Sequence, residues 1–156
     1  MALRFFGCFG RRNDPSTATT KDPSTATADE VSEEQRRLGP IVIELFSSQG
    51  CATSPEAELL LSRLGRGDFK LEVPVIVLAF HVDYWDYMGW KDPFGSSMAT
   101  VRQKAYVEAL KLDTMFTPQV VVQGKTQLVA TDEDVLLSNI RAAARFSAPT
   151  LQVCDC

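Results

Sequence analysis

Ser48-Gln49-Gly50-Cys51-Ala52-Thr53-Ser54-Pro55 joins a β-branched apolar run, Ile41 to Phe46, to an amphipathic helical pattern. A cysteine at such a junction faces the first N–H groups of a helix, which lack intrahelical partners and carry partial positive charge. They stabilise a thiolate and lower the thiol below its free value of ~8.5. Cys51 is therefore the first candidate for chemistry. A dithiol site would carry a second cysteine three positions on, where it could attack a mixed disulfide, but Ser54 stands there. A hydroxyl cannot resolve a disulfide. The unit reads as strand, Cys-x-x-Ser turn and helix, with the resolving thiol absent or supplied from elsewhere.

Outward from this turn the pattern stays regular. Ala57, Leu60, Leu61 and Leu64 recur at helical spacing behind Pro55, a residue suited to a first helical turn. Val73 to Phe80 is almost continuously apolar, as expected of a parallel strand covered on both faces. Residues 96–111 read as a helix with Met98, Val101, Ala105 and Leu112 on one side. Gln119 to Val122 and Thr126 to Ala130 read as two strands joined by a hairpin connection, Gln123-Gly124-Lys125. Asp132 then caps a last amphipathic helix bearing Val135, Leu136, Asn139, Ile140 and Ala143.

The resulting order is β-α-β-α-β-β-α, with a cysteine after the first strand and Thr117-Pro118 just before the third. That is the order of an α/β thioredoxin-like fold with a central mixed sheet. In that fold a cis proline before the third strand lies beside the active-site cysteine and leaves the preceding backbone free to pair with an extended substrate. Thr117 and Pro118 are assigned this place. Read alone, Thr-Pro would mean a trans proline starting an edge strand.

The bulk numbers bound the rest. A chain of 156 residues with 45% hydrophobic content suits one domain with one core. Its net charge of −4, from 16 basic and 20 acidic residues, lacks the basic stripe of a nucleic-acid binder. No apolar run approaches the ~20 residues of a membrane-spanning helix. The four cysteines stand at positions 8, 51, 154 and 156, two of them in terminal segments, which is not a secreted disulfide framework. A reducing compartment, the cytoplasm, is expected.

Three segments are expected: a tail and linker over residues 1–38, a domain over 39–147 and a tail over 148–156. The linker repeats itself, Asp14-Pro15-Ser16-Thr17-Ala18-Thr19 followed by Asp22-Pro23-Ser24-Thr25-Ala26-Thr27, with no apolar face to offset its ordering entropy. Before it, Cys8 among Phe5, Phe6, Phe9 and three arginines suits a palmitoyl acceptor at a membrane surface; a disordered tail and an organellar leader are the other readings. Cys154 and Cys156 could resolve a disulfide on Cys51, bind a soft metal or form an inert terminus.

Longer segments carry a resemblance. They are Ile43-Glu44-Leu45-Phe46-Ser47-Ser48-Gln49-Gly50-Cys51, Ala79-Phe80-His81-Val82-Asp83-Tyr84-Trp85-Asp86-Tyr87-Met88-Gly89-Trp90-Lys91-Asp92-Pro93-Phe94, Arg102-Gln103-Lys104-Ala105-Tyr106 and Phe116-Thr117-Pro118-Gln119. From Ile41 to about Phe146 the chain resembles the thioredoxin-like domain of unknown function 1223, found in bacteria and plants. The resemblance implies Cys-x-x-Cys-Pro at the first segment, so Ser54 is a departure. It also implies further β structure after residues 148–153, so the chain looks shortened against that family.

Within the second segment, His81 and Asp83 follow a buried strand at its C-terminal end, where open α/β sheets place ligand sites. His81 either activates the Cys51 thiolate or is a structural hydrogen-bonder. Asp83, Asp86 and Asp92 lack the spacing of a calcium loop, and zinc calls for several His or Cys ligands, so no metal is expected. Tyr84, Trp85, Tyr87, Trp90 and Phe94 are dense enough to cap the core, form a substrate-facing wall, or both. Cys51, Ser54, Thr117 and Pro118 are the candidate catalytic residues; His81, Asp83, Trp85 and Trp90 are the candidate substrate-binding ones. Two functions fit: a monothiol redox protein exchanging disulfides with a protein or small thiol, glutathione being the one co-reactant implied, or a non-catalytic peptide-binding module.

Overall fold

Strand β1, Ile41–Ser47, is central because every second side chain finds a covered face on each side of it. Ile41, Ile43 and Leu45 point into one core with Val120, Val122 and Leu128, while Phe46 points into a second core with Val121 and Val82. The computed structural model describes residues 38–147. β1 pairs in parallel with β2, Val75–His81, and antiparallel with β3, Gln119–Val122, which pairs antiparallel with β4, Thr126–Val129. The mixed sheet has the order β2-β1-β3-β4. Helices α1, Ser54–Gly65, and α3, Glu133–Ala142, cover its first face, and α2, Ser97–Ala109, covers the second. This is the expected thioredoxin-like α/β arrangement.

Local chemistry accounts for the element ends. Gln123 and Gly124 have φ of 53° and 67°, and the Lys125 N–H closes on the Val122 carbonyl at 3.0 Å. Two successive left-handed residues are what a tight antiparallel hairpin requires. The Asp132 carboxylate accepts the Val135 N–H at 3.0 Å, the cap its position implied. In α3 the buried residues are Leu136, Leu137 and Ile140, so Leu137 faces inward in place of the expected Val135.

Two packing expectations are corrected. β2 is not covered on both faces: it is an edge strand, and Ile76 and Leu78 stand exposed on the α2 side. An apolar run specifies that a strand is apolar, not that neighbours cover it. The inward face of α2 is also not Met98, Val101, Ala105 and Leu112. Met98 is 73% exposed, whereas Ala99, Thr100 and Gln103 are buried. Small residues let α2 lie close on the sheet, and the buried Gln103 Nε2 donates to the Phe116 carbonyl at 2.7 Å and Gln119 Oε1 at 2.9 Å.

Among the described residues no helix is long and apolar enough to cross a membrane, and no group of three or more His, Cys, Asp or Glu side chains is arranged to hold a metal ion. Cys8, the linker repeat, Cys154 and Cys156 lie outside the described residues.

Candidate active site

β1 ends at Ser47, and α1 begins seven residues later, at Ser54, with Pro55 in its first turn. Cys51 occupies the turn between them. Its N–H donates to the Ser48 carbonyl at 3.1 Å, and its own carbonyl accepts the Ser54 N–H at 3.2 Å. The helix cap is Thr53, so Cys51 precedes the first helical turn, and the backbone donor that reaches its sulfur is the Thr53 N–H.

The environment of the thiol is set by that turn and by the strand opposite. Cys51 is 4% exposed. Burial alone would raise its pKa, but hydrogen bonds from Ser54, Thr117 and Thr53, together with the Thr53 backbone, outweigh burial and bring it to about 7. Thr53 Oγ1 and the Thr117 carbonyl each lie 3.5 Å from the sulfur. The Thr117-Pro118 peptide is cis. Four of the sequence-derived residues, Cys51, Ser54, Thr117 and Pro118, therefore meet at one place.

Ser54 is fully buried and does two things. Its Oγ accepts the Ser48 N–H at 3.3 Å, which fastens the start of the turn to the start of α1, and its hydroxyl stabilises the Cys51 thiolate. The serine is thus an integral part of the thiol's hydrogen-bond environment.

The aromatic segment closes over this end of the sheet. Trp85 Nε1 donates to Thr117 Oγ1 at 2.7 Å, and Trp90 Nε1 donates to Gln49 Oε1 at 3.1 Å. Tyr84 and Trp85 pack on the second core, while Tyr87, Trp90 and Phe94 remain exposed. The segment is part cap and part exposed wall. Burial raises the Tyr84 phenol, opposed by its approach to Gln103 and Thr117, though no hydrogen bond of ordinary geometry reaches its oxygen. Gly50 is required by this packing: a Cβ there would come within 2.8 Å of the Trp85 Cβ. Gly50→Ala is expected to push Trp85 off Thr117, move tryptophan emission to longer wavelength and destabilise the fold by about 1–3 kcal/mol, read by urea unfolding followed by fluorescence.

His81 and Asp83 are engaged elsewhere. His81 Nδ1 lies 2.7 Å from Asp92 Oδ2, its Nε2 lies 3.7 Å from Glu58 Oε1, and the Ser47 hydroxyl donates to that same Glu58 carboxylate. The His81 nitrogens thus face carboxylates, not the Cys51 sulfur. Asp83 accepts from the Thr100 hydroxyl at 2.6 Å, tying the segment to α2. Sequence reasoning missed Gln49 and Thr53, and weighed Asp92 only as a metal ligand. The signal for Asp92 was its place in Asp92-Pro93-Phe94, where Oδ1 accepts the Phe94 N–H at 2.9 Å, a turn Asp favours.

With this geometry in view, the sequence matches the family described as Protein of unknown function (DUF1223) over residues 42–154. The chain belongs to that family. It is also similar to a protein from Agrobacterium tumefaciens whose X-ray crystal structure was determined as a structural genomics target. The two share 38% identity and a TM-score of 0.57, over 65% of this chain and 44% of that one. This chain therefore spans less than half the length of the Agrobacterium protein. No match was found among curated proteins. The DUF1223 match covers the Cys51 turn, the aromatic segment and the cis proline together.

Proposed function

We propose that this DUF1223 domain is a monothiol redox protein that uses Cys51 for thiol–disulfide exchange or carries glutathione on it. The observation that supports this reading is a thiol brought to about 7 by hydrogen bonds from Ser54, Thr117 and Thr53, beside a cis Thr117-Pro118 bond. Near neutral pH such a thiol is substantially ionised and remains nucleophilic. In the forward step the Cys51 thiolate attacks the glutathione sulfur of a protein–glutathione mixed disulfide. The Cys51–glutathione S–S bond forms as the original S–S bond breaks, and the protein thiolate leaves. A glutathione thiolate then attacks the glutathione sulfur of the Cys51 adduct, regenerating the Cys51 thiolate and releasing oxidised glutathione, so the protein disulfide is reduced and two glutathione sulfurs are joined. Ser54 stabilises the thiolate in this scheme and resolves nothing. A reducing compartment such as the cytoplasm supplies the second thiol.

The near-complete burial of Cys51 favours a second reading, a peptide- or protein-binding module around Pro118 and Trp85. The two separate on incubation with oxidised glutathione at neutral pH, in protein whose other three cysteines are serine. The redox reading expects one adduct on Cys51, stable until reduced glutathione is added, by intact mass. Intact protein without an adduct after hours of incubation contradicts it and favours the binding module.

A further inference from the structure

Asp92 is 1% exposed, follows no regular element, and is surrounded by donors. Its Oδ2 accepts the Gln49 N–H at 2.8 Å and faces His81 Nδ1 at 2.7 Å; its Oδ1 accepts the Phe94 N–H; its own N–H donates to Asp86 Oδ1 at 3.1 Å. One carboxylate oxygen thus bridges the turn that carries the thiol and the imidazole at the end of β2. Burial would raise this carboxyl, but the Gln49 N–H, His81 and the Phe94 N–H hold it below its ordinary value.

We propose that Asp92 is a positioning residue for Cys51, with His81 serving to orient the Asp92 carboxylate. This rests on the reading of Cys51 as an activated thiol. Of the sulfur's donors, Thr53 and Ser54 follow it in sequence, so whether these two reach it depends on how the turn enters from β1. At Ser48 that entry is held within the turn, by the Ser48 N–H on Ser54 Oγ and by the Gly50 and Cys51 N–H groups on Ser48 itself; at Gln49 it is held from outside, by the Trp90 indole on the side chain and by Asp92 on the backbone N–H. Of these bonds the one to Asp92 has a charged acceptor, and charge-assisted hydrogen bonds are the stronger kind. His81 is packed against Asp92, against Glu58 from α1 and against the Phe94 ring, whose centroid is 5.5 Å from its own. Held from both sides, it presents a fixed nitrogen to Oδ2 and leaves the carboxylate one orientation. The Asp92 carboxylate reaches the chemistry through the Gln49 peptide.

The test titrates the Cys51 thiolate by pH-dependent alkylation in full-length protein with the other three cysteines changed to serine. Asp92→Ala should move the midpoint from about 7 towards the free value of ~8.5 and slow alkylation at pH 7 by about tenfold. Asp92→Asn, which keeps the volume and a neutral acceptor, should fall between, and His81→Gln should shift the midpoint in the same direction by about half a unit. If Asp92→Ala does not fold, the Asp92→Asn midpoint decides. Folded Asp92 variants that lose stability yet titrate with the parent would make Asp92 a structural hub and overturn the inference alone. A parent midpoint at or above 8.5 overturns the activated-thiol reading and the inference with it.

Discussion

Ser54→Cys should turn a thiol that stalls at the mixed disulfide into a dithiol that completes the cycle. Ser54 already hydrogen-bonds to Cys51, so a sulfur in its place would stand where a resolving thiol must act. Insulin reduction coupled to dithiothreitol should rise by about tenfold or more over the parent, which should stay near the uncatalysed rate. The gain has a structural cost, because Ser54 Oγ also accepts the Ser48 N–H, and a thiol accepts that bond more weakly. A parent chain that already reduces insulin like a dithiol enzyme, with Cys8, Cys154 and Cys156 changed to serine, would contradict the monothiol account.

The second large effect lies away from the thiol. Glu44, in the middle of β1, is buried beneath α2, where Arg102 clasps it through Nε at 2.5 Å and a second guanidinium nitrogen at 2.8 Å, and the Tyr106 hydroxyl donates at 2.7 Å. The guanidinium also lies over the Phe80 ring at 5.1 Å. Arg102→Ala would leave a buried carboxylate with only the phenol. Because the Arg102 side chain is itself 46% exposed, water can replace part of what is lost, so the expected cost is about 2–4 kcal/mol. Tyr106→Phe should cost about 1 kcal/mol, and the two changes should be non-additive, since they serve one carboxylate. Chemical denaturation of the two single variants and the double variant measures this. A loss under 1 kcal/mol for Arg102→Ala would show that Glu44 is solvated without its partner.

Glu44 also marks the boundary of what the sequence could tell. The strand Ile41 to Phe46 was legible from its β-branched and apolar residues, Ile41, Val42, Ile43, Leu45 and Phe46. The cation that pairs with Glu44 was not legible: Arg102 is 58 residues away and meets Glu44 only once α2 crosses the sheet. The pairing of Cys51 with Thr117-Pro118 was legible because topology alone brings the C-terminal end of β1 beside the N-terminal end of β3. The orientation of α2 was not, because its inward face is chosen by close approach of Ala99 and Thr100 and by the hydrogen bonds of Gln103, against the hydrophobic pattern of Met98 and Val101. The place of His81 was half legible. Parallel pairing puts it at the right end of the sheet, but whether its nitrogens face a thiol or a carboxylate depends on the path of the loop that delivers Asp92.

The central claim is that Cys51 is an activated thiol, and the most direct measurement is its rate of alkylation by iodoacetamide against pH, in protein whose other three cysteines are serine. An activated Cys51 should give a single titration with a midpoint near the value of about 7 that its hydrogen bonds set, and rapid alkylation at neutral pH. A midpoint at or above the free thiol's ~8.5 would contradict it.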